Sequence, residues 1–353
     1  MTPVMKKLLG SSFVGALASP LSVDDYLGLI DSRLSLTAPR GRVMHVVRQT
    51  ADSVTLLIEP NDNWQGHRPG QHVLLGVDLD GVRHSRCFSV VSAPGEHLIE
   101  ITVKRNGDGR VSNFLVDHAE RGQLVHLSPA EGDFCPDDRA PRQALLLSAG
   151  SGITPVLGLL RHWSARNELH DVVFVHYART RADMIYAAQL EAMAERHAGL
   201  RVESVLTAEG GTRLNEPVLD ALVPDLERRQ TWLCGPAGFM DTAEPLIRAR
   251  TNKTLHREQF AATRREAAHG EGAVRFLKSD LAASGESGSL LEVAEGAGLQ
   301  PKYGCRMGIC HACKCRVAEG SVRDLRTNRI RDVRDTDIQL CIHAAAGDVA
   351  VEL

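Results

Sequence analysis

Five of the eight cysteines, Cys305, Cys310, Cys313, Cys315 and Cys341, fall in the last fifty residues of a 353-residue chain. Clustering of that kind in a long chain points to metal or redox chemistry and away from disulfide staples. Cys305, Cys310 and Cys313 have the spacing C-x4-C-x2-C, and Cys341 supplies a fourth thiolate further on. That is the plant-type [2Fe–2S] arrangement, four thiolates on two irons. A tight loop must wrap such a cluster and aim backbone N–H groups at its sulfurs, and Gly304 and Gly308 allow the close approach. A zinc site from Cys310, Cys313, Cys341 and His343 is the alternative, but it leaves Cys305 idle and lacks the paired short arms typical of zinc. Cys315 is expected on the opposite face of the following strand, as a bystander.

At about 150 residues per domain, the length predicts two or three domains. Hydrophobic residues make up 43% and charged residues 24%, enough for more than one buried core. The net charge of −3 excludes a nucleic-acid binder that works through bulk charge. Two stretches lack charge for about the length of a short membrane span. Residues 144–160 are broken by Ser148, Gly150, Ser151, Gly152, Thr154 and Pro155, which reads as strand, turn and helix. Residues 8–23 follow Lys6 and Lys7 and imitate a secretory signal, yet Gly10, Ser11, Ser12 and Gly15 dilute the core. Leu9, Phe13 and Leu17 share one helical face there, so a docking or membrane-surface helix is expected, with a cleaved signal as the alternative. The expected location is the cytoplasm, at the inner face of the membrane, without a spanning helix.

The chain divides into a helical extension (1–38), a β-barrel (39–139), an α/β domain (140–261), a linker (262–272) and a C-terminal domain carrying the cysteines (273–353). In the second of these, short alternating strands with Gly and Pro turns predict a small antiparallel barrel, including a Leu79-Asp80-Gly81 hairpin turn. From Ala144 the rhythm changes. Ala144–Leu147, Val172–Tyr177, Arg201–Leu206 and Gln230–Cys234 are apolar runs separated by helical stretches, a parallel-sheet pattern. The overall expectation is a multi-domain α+β and α/β protein: an antiparallel barrel, a parallel-sheet nucleotide-binding domain and a small C-terminal domain that holds the cysteines.

The α/β segment opens with Ala144 to Ser148, then Gly150-Ser151-Gly152, then Thr154-Pro155 at a helix start. Glycines at 150 and 152 remove side chains where a pyrophosphate would approach, and the next helix offers free N–H donors. A second turn, Cys234-Gly235-Pro236, ends a later strand and meets a helix that contains Met240. No acidic residue closes the strand after the first loop. Arg179 and Arg181 lie there instead, suited to a 2′-phosphate, which favours NADPH mildly over NADH unless they are a solvated pair.

In the barrel, Arg86-Cys87-Phe88-Ser89 follows Pro69-Gly70-Gln71 and precedes Gly109-Arg110-Val111-Ser112 at a helix start. With these motifs the chain resembles, from residue 40 to 353, the ferredoxin–NADP reductase superfamily with a C-terminal plant-type ferredoxin domain, which implies an antiparallel flavin-binding β-barrel and a β-grasp ferredoxin domain. The resemblance implies that Arg86 pairs with the flavin phosphate, Phe88 packs on the isoalloxazine and Ser89 hydrogen-bonds near N5. It further implies that Gly109, Val111 and Ser112 cap the pyrophosphate of FAD, with Val103 also at the flavin. Gly150, Gly152, Thr154, Pro155, Gly235, Pro236 and Met240 would hold the nicotinamide nucleotide together with Arg179 and Arg181. Ser89, Cys234 and Glu258 would be the catalytic set, and Phe260 would close the flavin site. Phe88 stands where the family more often has Tyr, so a hydroxyl contact is missing while the stacking ring is kept.

The implied route runs from NAD(P)H to FAD, to the [2Fe–2S] cluster and out to a separate acceptor protein. The fifteen histidines show no repeated His-x-x-His, so any oxygen chemistry is expected in the partner. The N-terminal stretch from Asp24 to Leu34 resembles reductases of membrane fatty acyl-CoA desaturases, which makes a desaturase the expected acceptor. A steroid, aromatic or alkane oxygenase is the alternative, and a redox-sensing iron–sulfur protein or a stand-alone oxidase would be another class. Nothing in the sequence sets an oligomeric state.

Overall fold

A computed structural model describes the chain except residues 1–2, 12–13, 15–16, 19–22, 32, 108, 136–138, 259, 261–269, 287, 305–307, 309–311 and 326–327. The chain forms two compact units, Met1–Gln259 and Phe260–Leu353.

Near the start of the first unit lie the short helices α1 (Pro3–Leu9) and α2 (Val23–Ile30). Asp24 of α2 accepts from the Leu36 backbone N–H at 2.7 Å and the Ser35 hydroxyl at 2.6 Å, tying the helix to the chain entering the barrel. Leu27 is buried, whereas Leu8, Tyr26, Leu29 and Ile30 face solvent. Phe13, part of the expected apolar face, lies outside the described residues. Among the described residues no helix is long and apolar enough to cross a membrane.

Six strands follow: β1 (Arg40–Thr50), β2 (Ser53–Pro60), β3 (His72–Leu79), β4 (Val82–Ser89), β5 (Ile99–Lys104) and β6 (Leu124–Leu127), with α3 (Arg110–His118) before β6. They form one antiparallel sheet in the order β4-β3-β6-β1-β2-β5. Alternate residues Val54, Leu56 and Ile58 of β2 and Ile99, Ile101 and Val103 of β5 fill the interior, as a period of two requires. The β3–β4 turn holds Asp80 at φ 54° and Gly81 at φ 76°, the left-handed pair that matches strand twist. Beyond β4, Val90 bridges Ile101 of β5, so the two edge strands meet and the sheet curls closed.

The rest of this unit alternates strand and helix: β7 (Ala144–Ala149), α4 (Ile153–Ala165), β8 (Val172–Ala178), α5 (Ala187–Arg196), β9 (Leu200–Leu206), α6 (Glu216–Leu222), β10 (Gln230–Cys234), α7 (Ala237–Arg250) and β11 (Leu255–Glu258). The five strands are all parallel, in the order β11-β10-β7-β8-β9. Every residue of β7 and β8 is buried, because helices cover both faces of a parallel sheet.

His176 sits inside that sheet with Nδ1 2.9 Å from the Ser148 hydroxyl. Burial pushes its pKa down to about 3. An unfolded chain titrates this group near 6.5. Its stabilising share is therefore complete above about 6.5 and is lost at roughly 1.4 kcal/mol per pH unit as pH falls towards 3. His176→Gln is expected to flatten the stability profile by about 2 kcal/mol between pH 6.5 and 5. Urea unfolding at a series of pH values measures this, and parallel profiles for the two proteins would refute it.

The second unit is a five-stranded mixed sheet of β12 (Ala273–Phe276), β13 (Leu281–Ser284), β14 (Lys314–Asp324), β15 (Ile330–Gln339) and β16 (His343–Val351), in the order β13-β12-β16-β14-β15. Helix α8 (Leu290–Gly296) starts at a Ser289–Glu292 capping box and buries Leu290, Leu291, Val293 and Ala294 against the sheet. Glu271 already bridges Ala346, so the sheet begins inside the stretch that reads as linker from sequence.

Candidate functional site

In the parallel sheet, β7 is flanked by β10 on one side and β8 on the other. A crevice opens beyond the carboxyl ends of strands at such a reversal of order. Both glycine turns lie there. A Cβ on Gly152 would overlap the Cys234 carbonyl, and one on Gly235 would press on the Phe239 ring and Ala149. The loops after β7 and β10 are thus packed backbone against backbone, which only glycine allows. Gly150 has φ 54°, and a Cβ there would meet nothing within 4 Å, so this turn faces open space. Thr154 is buried and donates to the Ser151 carbonyl at 3.0 Å, and Pro155 is buried in the first turn of α4. Pro236 caps α7, while Met240 is spent on the sheet's core.

Register places Ser148, Cys234 and Glu258 side by side at the ends of β7, β10 and β11. Burial pushes the Cys234 thiol well above its usual range, and the nearby Glu258 carboxylate adds to the effect, so the thiol keeps its proton. On the barrel, Ser89 ends β4 opposite His72 of β3 and is 2% exposed. His72 Nδ1–H donates to Glu258 Oε1 at 3.0 Å. One imidazole therefore links the strand pair that carries Ser89 to the sheet row that carries Cys234 and Glu258.

Arg86 donates to its neighbour's carbonyl, Ser85, at 2.7 Å, and Phe88 packs against the barrel core. Val103 is wholly buried in that core, so its side chain is committed to packing. At the start of α3 a Cβ on Gly109 would collide with the Ser112 hydroxyl and the Asn106 carbonyl. The Ser112 hydroxyl donates to the Gly109 carbonyl at 3.1 Å, and Val111 beside it is buried.

The two arginines after β8 part company. Both are exposed, but Arg181 pairs with Glu191 and lies 3.7 Å from the Met184 sulfur, whereas Arg179 makes no ion pair among the described residues.

Three buried polar atoms around the His72 link have no hydrogen-bond partner among the described residues: Ser89 Oγ, His72 Nε2 and Glu258 Oε2. Buried polar atoms are nearly always paired, so this cluster suits a ligand that brings polar edges. The open turn at Gly150 and the glycine-lined start of α3 likewise suit phosphates.

In the second unit, Cys313 and Cys341 are buried and lie in adjacent segments, since Leu340 N–H donates to the Cys313 carbonyl at 3.1 Å. Cys305 and Cys310 lie outside the described residues. A Cβ on Gly308 would strike Ile342, and Gln339 Nε2 donates to its carbonyl at 2.9 Å. His343, needed by the zinc alternative, donates from Nδ1 to the Gln339 carbonyl and takes Arg331 on Nε2, so its lone pair is engaged. Two buried thiols in adjacent segments suit two of the four ligands of an iron–sulfur cluster. Cys315 is partly buried, with its sulfur 3.5 Å from the Glu352 carbonyl.

Comparison with known proteins matches three family descriptions along the chain. These are "Oxidoreductase FAD-binding domain" over residues 44–135, "Oxidoreductase NAD-binding domain" over 146–244 and "2Fe-2S iron-sulfur cluster binding domain" over 280–345. An NADPH oxidoreductase of Mycobacterium tuberculosis is 38% identical over 96% of this chain and 90% of its own length. The chain belongs to the ferredoxin–NADP reductase superfamily. It is an NAD(P)H-dependent oxidoreductase with FAD, NAD(P) and [2Fe–2S] domains, of the kind that includes oxygenase reductase components. A glycine betaine monooxygenase reductase subunit of Pseudomonas aeruginosa is 31% identical over 81% of this chain and 87% of its own. In fold, this reductase matches phthalate dioxygenase reductase with a TM-score of 0.60 at 23% identity, covering 89% of this chain and 97% of that one.

Among the reductase's candidate site residues, Ser89, Cys234 and Glu258 come together and the two glycine turns meet. Phe260 opens the second unit. His72 was missed from sequence. Its only local sign is its place directly after Pro69-Gly70-Gln71.

Proposed function

We propose that the reductase draws on NADPH and delivers single electrons to an oxygenase component. The observation that carries this reading is the cluster of unpaired buried polar atoms on Ser89, His72 and Glu258, where the barrel meets the nucleotide sheet. Bound FAD supplies the conversion of a two-electron hydride into single electrons, and a [2Fe–2S] cluster supplies the one-electron outlet. The protein's own part is to bind, orient and exclude water. Arg86 offers its guanidinium to the flavin phosphate, and Gly109, Val111 and Ser112 present the α3 N-terminus to the pyrophosphate. Phe88 offers a ring to the isoalloxazine, and Val103 offers main chain.

Ser89 Oγ points a polar group at the reacting edge of the flavin. Gly150, Gly152, Thr154, Pro155, Gly235 and Pro236 frame the nicotinamide nucleotide, with Met240 packed behind them. Cys234 holds its proton beside the nicotinamide and Glu258 orients it. Cys305, Cys310, Cys313 and Cys341 bind the cluster.

Oxygenase components are named in the relatives reported above, and this supports an oxygenase as acceptor. None of those relatives names a desaturase. The membrane desaturase expected from sequence stands as a second reading, resting on the exposed Leu8, Tyr26, Leu29 and Ile30 of α1 and α2.

For the nucleotide, Arg179 is exposed and makes no ion pair among the described residues, whereas Arg181 would first have to leave Glu191. Arg179→Ala is expected to lower the preference for NADPH over NADH about ten- to a hundredfold, the worth of charged hydrogen bonds to a 2′-phosphate. Arg181→Ala should change it by less than about threefold. Anaerobic titration with each nucleotide, followed by absorbance and EPR, measures both effects. Flavin and cluster should bleach together; a flavin that neither nucleotide reduces would refute the electron route.

A further inference from the structure

Helix α4 carries the nucleotide loop at its start and a partly buried cation, Arg161, two turns later. Gly158 lies between them, and a Cβ there would press on the Val90 carbonyl, directly after Ser89. Arg161 then donates to Glu100 Oε2 at 2.8 Å and Oε1 at 3.0 Å, and to the Val91 carbonyl at 3.2 Å. The same guanidinium reaches Gln189 at 2.6 Å and lies 5.2 Å from the centre of the Tyr186 ring.

Tyr186 comes from the loop before α5 and has φ 60°, a left-handed conformation uncommon for a bulky side chain. Its hydroxyl crosses to the barrel, donates to Glu100 at 2.7 Å and pairs with Thr102, with Thr55 at 3.2 Å. Strain of this kind persists only where the surroundings over-determine it. The network borders a cleft of about 550 Å³ between barrel and nucleotide sheet.

We propose that Arg161, gripped by Glu100 and Tyr186, is the positioning residue that sets how closely the nucleotide loop approaches the flavin strand. The proposal rests on the functional reading above. Its logic is a lever. Val91 lies two residues beyond Ser89, and its N–H donates to the Glu100 carbonyl at 2.8 Å. Thr154 lies seven residues before Arg161, roughly 10 Å along the same helix. Fixing Arg161 on Glu100 and Val91 therefore fixes the slide of α4 along the barrel, and with it the gap between Ser89 and the turns at Gly152 and Cys234. A non-directional backbone contact such as Gly158 on Val90 permits sliding, but a bidentate guanidinium–carboxylate pair does not. A largely desolvated pair of this kind adds little stability and much geometry.

The test uses the FAD-loaded, cluster-loaded protein with two variants. Arg161→Lys keeps the charge but loses the fork, and Tyr186→Phe removes one hydroxyl. Displacement of reacting groups by a fraction of an ångström slows transfer steeply. Flavin reduction by NADPH in anaerobic stopped flow is expected to slow about tenfold in Arg161→Lys and about threefold in Tyr186→Phe. The NADPH dissociation constant should stay within about twofold, which separates positioning from binding. The long-wavelength absorbance of the nicotinamide–flavin complex should weaken. Amide exchange should rise together at Val90–Val91 and Ile153–Gly158, the two ends of the lever.

A reduction rate within twofold of the unaltered protein in Arg161→Lys would overturn the proposal. So would slowing that only follows loss of FAD in both variants. If NADPH fails to reduce the flavin of the unaltered protein, the functional reading fails instead, and the exchange measurement still decides the lever.

Discussion

Cys341→Ser is expected to abolish cluster-dependent electron delivery, lowering NADPH-driven cytochrome c reduction at least about 100-fold, while reduction of ferricyanide from the flavin stays within a few-fold. The asymmetry follows from the fold. Cys341 is buried in the second unit, between β15 and β16, while the flavin strand and both glycine turns lie in the first. A serine hydroxyl ionises too weakly to replace a thiolate on iron, so three ligands remain where four are needed. Visible absorbance and EPR report the cluster directly. Cys315→Ser is the matched comparison: its sulfur lies near the Glu352 carbonyl, and it should keep the cluster and at least half the activity. Retention of the cluster in the first variant with loss in the second would reverse the ligand assignment and overturn the spacing argument.

Most of the fold was legible because it depends on local pattern. Alternation of Val54, Leu56 and Ile58 marks a barrel strand, and the unbroken apolar run of β7 marks a strand covered on both sides. The glycine turns were legible too, since each sits where a strand stops and a helix starts. What could not be read is which distant atoms meet. His72 and Glu258 are 186 residues apart, and only the closing of the barrel onto β11 brings them together. The same holds for Arg161 and Glu100, and for the parting of Arg179 from Arg181, which depends on where Glu191 of α5 falls. Val103 and Met240 show the converse. Their places in the motifs suggest contact with a ligand, yet each side chain faces a core, so packing claims what the motif would assign to binding.

Ser89→Ala is expected to slow flavin reduction about 100-fold, equivalent to about 2.7 kcal/mol at the transition state, with FAD retained. Ser89 is 2% exposed, and its buried hydroxyl has no partner among the described residues. Removing a buried group that pairs with a protein partner strands that partner and costs stability. Here there is none to strand, so the apoprotein should be as stable as before or slightly more so. A loss confined to the reaction, with unfolding unchanged, would locate the hydroxyl's missing partner on the bound flavin. Ser89→Thr keeps the hydroxyl but adds a methyl beside His72, and should recover a substantial part of the rate if the site tolerates the volume. Equal slowing in both variants would mean that space rather than the hydroxyl matters. A Ser89→Ala variant that is reduced at the normal rate would remove Ser89 from the mechanism and leave the His72–Glu258 pair to join barrel to nucleotide sheet at this site.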